Sequence, residues 1–125
     1  MKLTRCKLGK VLELQRGYDL PSSQMEKGDI LVAGSNGVIG YHNEARSNHP
    51  CITVGRSGSV GKVHYYEQAT WAHNTALFVK DFKGNDPKYL YYFLKNLHLD
   101  KMFDKGSSVV PSLDRKVVHS LNVPC

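Results

Sequence analysis

The chain has 125 residues, 41% of them apolar, which is material for one domain with one core and too little for two. Its longest apolar runs, Gly37–Tyr41 and Tyr89–Leu94, fall far short of the roughly 20 residues of a membrane span, and the cationic first ten residues lack the apolar stretch of a signal peptide, so a cytoplasmic location with no membrane partner is expected. Seventeen Lys and Arg against eleven Asp and Glu leave a net charge of +6, which favours an anionic partner such as nucleic acid, with a basic solvated surface as the plainer explanation.

In chain order, Leu8, Val11, Leu12 and Leu14 are spaced more like a helix than a strand, so residues 7–14 are expected to form one short helix ending before Arg16-Gly17. Tyr18–Ser23 reads as a turn-rich loop, and Gly28-Asp29 punctuates the start of a strand, Ile30–Ala33. Asn36-Gly37 is the strongest hairpin signal in the chain, because a type I′ turn needs positive φ at both central residues; Val38–Tyr41 is the returning strand. A second Gly-rich reversal, Gly55–Ser59, joins a strand Ile52–Val54 to an outgoing segment Val60–Tyr66. Gly34, Gly37 and Gly40 match Gly55, Gly58 and Gly61 at a constant offset of 21. Two similar strand–turn–strand units are implied, each bringing backbone close to something at its turn.

Ala76–Val79 is a further strand between Asn74-Thr75 and a Lys83-Gly84-Asn85 turn. Asp86 as N-cap and Pro87 at the first helical position open a helix with Tyr89, Leu90, Phe93, Leu94 and Leu97 on one face. A short helical piece Leu99–Phe103, a loop at Gly106–Ser108, and a segment Asp114–Leu121 that fits a helix turn or a strand complete the chain. The expected fold class is α+β: a single mixed α/β globule over residues 1–125, with a strand-rich centre, two Gly-rich strand reversals and flanking helices.

Catalytic patterns fail residue by residue. Counting back from Gly61-Lys62, a phosphate-cradling P-loop would need glycine at Arg56 and a hydroxyl at Val63. Both reversals space their glycines G-x-x-G-x-x-G, which is not the dinucleotide fingerprint. A nucleophile elbow at Ser57 would need glycine where Ser59 stands. His42-Asn43 and His73-Asn74 lack a carboxylate or second histidine at metal-ligand spacing. Cys6, Cys51 and Cys125 are odd in number, widely separated and without a C-x-x-C pair, so they read as incidental thiols in a reducing compartment. No metal site is expected. What remains is a set of cations, amides, hydroxyls and aromatics in Gly-rich turns, the chemistry that reads base edges and holds phosphates.

At this point the chain resembles a family. Arg16-Gly-Tyr-Asp-Leu-Pro21, Gly28-Asp-Ile30, Gly34-Ser-Asn-Gly-Val-Ile-Gly-Tyr-His-Asn43, Ile52-Thr-Val-Gly-Arg-Ser-Gly-Ser-Val-Gly-Lys62, Trp71, Asn74-Thr75, Asp86-Pro-Lys-Tyr-Leu-Tyr-Tyr92 and Val110-Pro-Ser-Leu-Asp-Arg115 together look like one target recognition domain of a type I restriction-modification specificity subunit. The resemblance implies sequence-specific recognition of double-stranded DNA, with no active site on this chain. It further implies that a complete subunit carries two such domains, each reading half of a split target, separated by long helices that bind methyltransferase subunits. S-adenosylmethionine, ATP and Mg then belong to the methyltransferase and restriction subunits, and no cofactor to this chain. The sequence reaches Asn122-Val-Pro-Cys125, where the family's long helix would start, so one recognition domain, with no second copy and no helical arm, is the expectation for residues 1–125. The alternative is a protein-interaction or regulatory module that engages restriction subunits without reading DNA.

Within the motifs, Arg56 at the tip of the second reversal is the first choice for a base contact, against the plainer role of an exposed turn cation whose removal would hardly affect stability. Asn36 is explained by its turn, with a DNA contact as the second reading. Tyr41, His42 and Asn43 leave the first reversal as a cluster of donors, acceptors and an apolar ring. Lys62 and Arg16 are candidate phosphate contacts. Tyr18, Ser35, Ser57, Ser59 and Asn74 lie in the same loops, and Ser107, Ser108, Ser112 and Arg115 bracket a late loop expected to reach DNA. Trp71 and the Tyr89, Tyr91, Tyr92, Phe93 set read as packing groups instead of base-stacking platforms.

Overall fold

The computed structural model describes residues 4–47, 50–102 and 112–125. Its largest sheet has four strands in the order β2 (Glu13–Arg16), β8 (Ala76–Asp81), β5 (Cys51–Gly55), β6 (Val63–Tyr66), with every neighbouring pair antiparallel. A three-stranded sheet runs β4 (Gly37–His42), β3 (Ile30–Gly34), β7 (Thr70–Ala72), in which β3 pairs antiparallel with β4 and parallel with β7. A two-stranded antiparallel ribbon joins β1 (Arg5–Lys7) to β9 (Asn122–Pro124). The helices are α1 (Pro87–Leu97), α2 (Leu99–Met102) and α3 (Arg115–His119). This is the α+β class with a strand-rich centre and two Gly-rich reversals.

Strand alternation decides where the core lies. Ile52, Val54, Leu77 and Val79 point to one face of the four-stranded sheet, where they are buried with Leu8, Leu12, Leu90, Leu94, Leu99 and Val118 from the flanking turns and helices. The opposite face carries the registered row Gln15–Phe78–Thr53–His64. There Phe78 and Cys51 pack against Ala72, Tyr18 and Tyr66, which ties the four-stranded sheet to the three-stranded one. Leu90 and Leu94 are fully buried, so truncating either to alanine should cost about 2–5 kcal/mol. The start of α1 is as its sequence predicts: Asp86 is extended, its carboxylate accepts the Tyr89 N–H at 3.0 Å, and Pro87 occupies the first turn.

Several expectations fail for physical reasons. Residues 7–14 do not form a helix. A single 3-10 turn at Leu8–Lys10 closes with the Val11 N–H on the Leu8 carbonyl at 2.8 Å, and the chain then enters β2. The backbone donors of this stretch go elsewhere: Leu8 N–H to the Leu121 carbonyl and Leu14 N–H to Nε2 of His119. Leu8, Leu12 and Leu14 are all buried by turn plus strand as effectively as a helix would bury them.

The first reversal is a hairpin, but its two turn residues are Ser35 and Asn36, neither with positive φ; that conformation falls on Gly37, at φ +118°. Consecutive positive φ values, as a type I′ turn requires, occur instead at Lys83 (+53°) and Gly84 (+79°), where the Asn85 N–H closes on the Phe82 carbonyl at 2.9 Å. The outgoing strand of the second reversal begins at Val63, since residues 60 and 61 are still turning. Tyr89 is 56% exposed and is not on the buried face of α1. Residues 115–119 are helical, capped by the Asp114 carboxylate on the Lys116 N–H at 2.9 Å. The loop expected at Gly106–Ser108, and Phe103, lie outside the described residues.

The two terminal cysteines of the sequence are not separate in space. Cys6 stands opposite Val123 in the β1–β9 ribbon, and its sulfur interacts with the Cys125 thiol, which pushes the Cys6 pKa up. Cys51 is buried, and that burial raises its thiol to about 11.

Candidate nucleic-acid interface

The two Gly-rich reversals meet at one end of the sheets. The Oγ of Ser35, in the first turn, accepts the N–H of Ser59, in the second, at 3.4 Å. Gly55 makes this approach possible. A Cβ there would overlap the carbonyl of Ser59 and stand 3.0 Å from the carbonyl of Ser35, so any side chain would force the turns apart. The loop before β8 docks on the same place, its Thr75 carbonyl accepting the N–H groups of both Arg56 (2.9 Å) and Ser57 (3.1 Å). Ser35, Asn36, Arg56, Ser57, Ser59 and Asn74, candidates scattered over some forty positions of sequence, therefore share one end of the molecule.

Arg16 and Arg115 reach this end from other elements. Arg16 is the last residue of β2, and the next residue, Gly17, donates to the Ala76 carbonyl at 2.9 Å. Arg115 begins α3 and donates to the Leu14 carbonyl at 3.4 Å. Arg16, Arg56 and Arg115 line one depression of about 300 Å³ together with Leu77, Ser112, Leu113 and Asp114. Three arginines against Asp114 in the depression and Asp19 beside Arg16 leave a net positive surface suited to a phosphodiester or a base edge.

Arg56 is not the free tip cation that its sequence position suggests. Its guanidinium is half-buried and donates to the Asn74 carbonyl at 3.1 Å, while its own carbonyl accepts the Leu113 N–H at 2.7 Å. Arg16 spends one donor on Asp19 at 3.2 Å, an exposed pair.

Other candidates sit elsewhere. The Tyr41, His42, Asn43 cluster is at the far end of β4, and strand alternation splits it. Tyr41 is 57% exposed, whereas His42 is 6% exposed, its Nδ1 accepting the Glu26 N–H at 2.9 Å and its ring edge-on to Trp71. His42 is thus a packing group with no surface to offer, which corrects its inclusion in a surface cluster. Asn43 contacts the Glu26 carboxylate at 3.4 Å. Lys62 lies 3.7 Å from Asp100 on α2 and lines a different depression, with Leu94 and His98, although its carbonyl accepts the N–H of Gly55, next to Arg56. Tyr18 is half-buried, its ring against Trp71 and Phe78 and its hydroxyl accepting from Gln15 at 2.9 Å. Ser107 lies outside the described residues.

Trp71 is buried, as expected of a packing group. Two residues of the family motifs that are not among the candidate contacts shape this surface: Thr75, whose carbonyl holds the second reversal, and Leu113, which ties Arg56 to the segment before α3. Both do so through backbone atoms, which residue type does not mark, and the Thr75 hydroxyl also meets Nδ1 of His73 at 2.9 Å. Among the described residues, no three His, Cys, Asp or Glu side chains are placed to hold a metal ion.

Comparison with known proteins adds family and fold. A family model described as the type I restriction modification DNA specificity domain matches residues 3–125. No curated protein matches significantly. Among solved structures, the S subunit of a type I restriction-modification system from M. genitalium superposes with a TM-score of 0.81 at 15% identity, covering 99% of this chain and 34% of that one. The HsdS subunit from Thermoanaerobacter tengcongensis gives 0.69 at 15% identity, over 97% of this chain and 32% of that one. A chain from a study of the assembly and conformational transition of the type I R-M system gives 0.71 at 15% identity, with 97% and 33% coverage. The likeness to these structures establishes the fold, and the chain spans about a third of the length of each. With residues 3–125 matched by the family model, the chain belongs to the type I restriction modification DNA specificity domain family.

Proposed function

We propose that this domain reads one half of a split target in double-stranded DNA, and that its reading surface is the end of the sheets where the two reversals, the Asn74-Thr75 loop and Arg16, Arg56 and Arg115 converge. The observation that carries this is the convergence itself: three arginines from three separate elements line one depression beside two turns rich in hydroxyls and amides. Loops fixed to a rigid sheet can hold such groups in the register that base reading requires. The domain supplies recognition and no chemistry. Methyl transfer with S-adenosylmethionine and cleavage with ATP and Mg fall to partner subunits, which a longer specificity chain engages through segments outside this domain.

The test is selection of duplexes from a random pool by the purified chain, followed by sequencing of what is retained. An enriched half-site motif, reduced by Arg56→Ala, is the expected result. Retention without any motif would leave only a basic surface and refute sequence reading.

A further inference from the structure

An arginine offers five N–H donors, and in a folded chain some of them usually find an acceptor of that same chain. The sequence has five arginines, and four behave this way. Arg5 donates to the Asn122 carbonyl at 3.0 Å, Arg16 to Asp19 at 3.2 Å, Arg56 to the Asn74 carbonyl at 3.1 Å and Arg115 to the Leu14 carbonyl at 3.4 Å. Arg46 is the exception. Its side chain is exposed and makes neither a hydrogen bond nor an ion pair with any described residue.

Arg46 is nevertheless held in place. Its guanidinium carbon lies 4.4 Å above the centre of the Tyr18 ring and 5.8 Å from that of Trp71. Both rings are fixed in turn: the Trp71 indole N–H donates to the Tyr18 carbonyl at 3.1 Å, and the Tyr18 hydroxyl accepts from Gln15. The backbone is clamped as well, with the Arg46 N–H and the Ser47 hydroxyl both donating to the Thr70 carbonyl, at 2.9 and 2.7 Å. The rings hold the guanidinium through its charge and engage none of its N–H groups as hydrogen-bond donors, which leaves those donors for an outside acceptor. Among the described residues no carboxylate comes within 4.0 Å of the Arg46 guanidinium to compete for them. Tyr18 lies two residues after Arg16 and bridges to His73, while its ring packs on Phe78, on the sheet face opposite Leu77 and the arginine depression.

We propose that Arg46 is a specificity-determining contact of this domain, presenting a flat, immobilised donor fork to the O6 and N7 of a guanine. The proposal rests on the DNA-reading function above and adds a residue to it. A phosphate is satisfied by a mobile point charge, whereas a guanine edge needs two donors in one plane, and that is what the aromatic support provides.

The experiment runs the duplex selection in parallel with the native chain, Arg46→Ala and Arg46→Lys, and reads preference at each position of the motif. The native chain should enrich a motif containing a guanine whose preference falls about ten- to a hundredfold in both variants, because lysine keeps the charge and loses the fork. Preference at the other positions should persist. Removing one exposed cation–π contact should move the melting temperature by about 5 °C or less, which checks that both variants are folded. An unchanged motif in Arg46→Ala, a uniform loss over all sequences, or full preference retained by Arg46→Lys would each overturn the assignment. Absence of any motif with the native chain would overturn the DNA-reading function itself, a result the variants cannot produce.

Discussion

Replacing Arg56 by alanine separates anchoring from reading. Alanine keeps the backbone bonds to Thr75 and Leu113 and removes the guanidinium bond to the Asn74 carbonyl, along with the side-chain stem lining the depression. A hydrogen bond to a charged group contributes about 1.5–3 kcal/mol. Because water reaches this half-buried site and can replace the lost donor, about 1–1.5 kcal/mol is the expected loss of stability. At an unfolding entropy of about 2.1 cal/mol/K per residue, a chain of this length loses about 4 °C of melting temperature per kcal/mol, giving a fall of about 4–6 °C. Arg56→Lys, which keeps one donor, should recover part of it. Thermal unfolding followed by circular dichroism measures the first effect. Duplex binding measured well below both melting temperatures measures the second, an additional loss of about 1–3 kcal/mol confined to the selected sequence. A melting temperature within about 1 °C of the native value would refute the anchoring derived from the Asn74 contact.

Three further outcomes are expected. If Arg16, Arg56 and Arg115 each neutralise a phosphate when a non-selected duplex binds, affinity should fall about 40-fold between 50 and 200 mM salt, from a slope of about −0.9 per phosphate; an affinity indifferent to salt would remove the electrostatic basis of the surface. His119 Nε2 accepts the Leu14 N–H, and burial first, then Arg115, lowers its pKa below 6.5. The folded state thus favours the neutral ring, so its contribution is complete above the unfolded value and is lost as pH falls below about 6.5. Urea midpoints at pH 7.5 and 5.5 should differ less in His119→Gln than in the native chain, although His64 and His73, shifted down mainly by burial, retain some of the slope. Asp86→Ala, which frees the Tyr89 N–H at the start of α1, should cost about 1 kcal/mol in the same denaturation assay.

Local chemistry made much of this fold legible. Asp86-Pro87 fixes a helix start whatever surrounds it, and the residue types on either side of Ser35-Asn36 are enough for a hairpin. What sequence could not supply was the identity of a partner distant in the chain. The apolar spacing at Leu8, Val11, Leu12 and Leu14 suits a helix, yet His119, a hundred residues on, accepts the Leu14 N–H and β8 claims the rest of β2. The three-residue strands β1, β7 and β9 are too short to carry a period and exist through their neighbours. The candidate surface divides along the same line. The matching glycines marked both reversals as places of close approach, and Gly55 is such a place. That the reversals approach each other, and that His42 turns inward beside Trp71, follow from sheet packing that no local pattern contains.

The pairing of β1 with β9 sets Arg5 opposite Pro124. The polypeptide consequently comes into the domain and leaves it through adjacent strands, about 5 Å apart. In a longer protein, exchanging one module with such paired ends for another would leave the flanking segments where they were, however much the turns differ. The same geometry makes it permutable. Joining residues 4 and 125 through a short flexible linker and opening the chain at the Lys83–Gly84 turn should preserve the sheets, because the new bond spans neighbours and the break falls in an exposed two-residue loop.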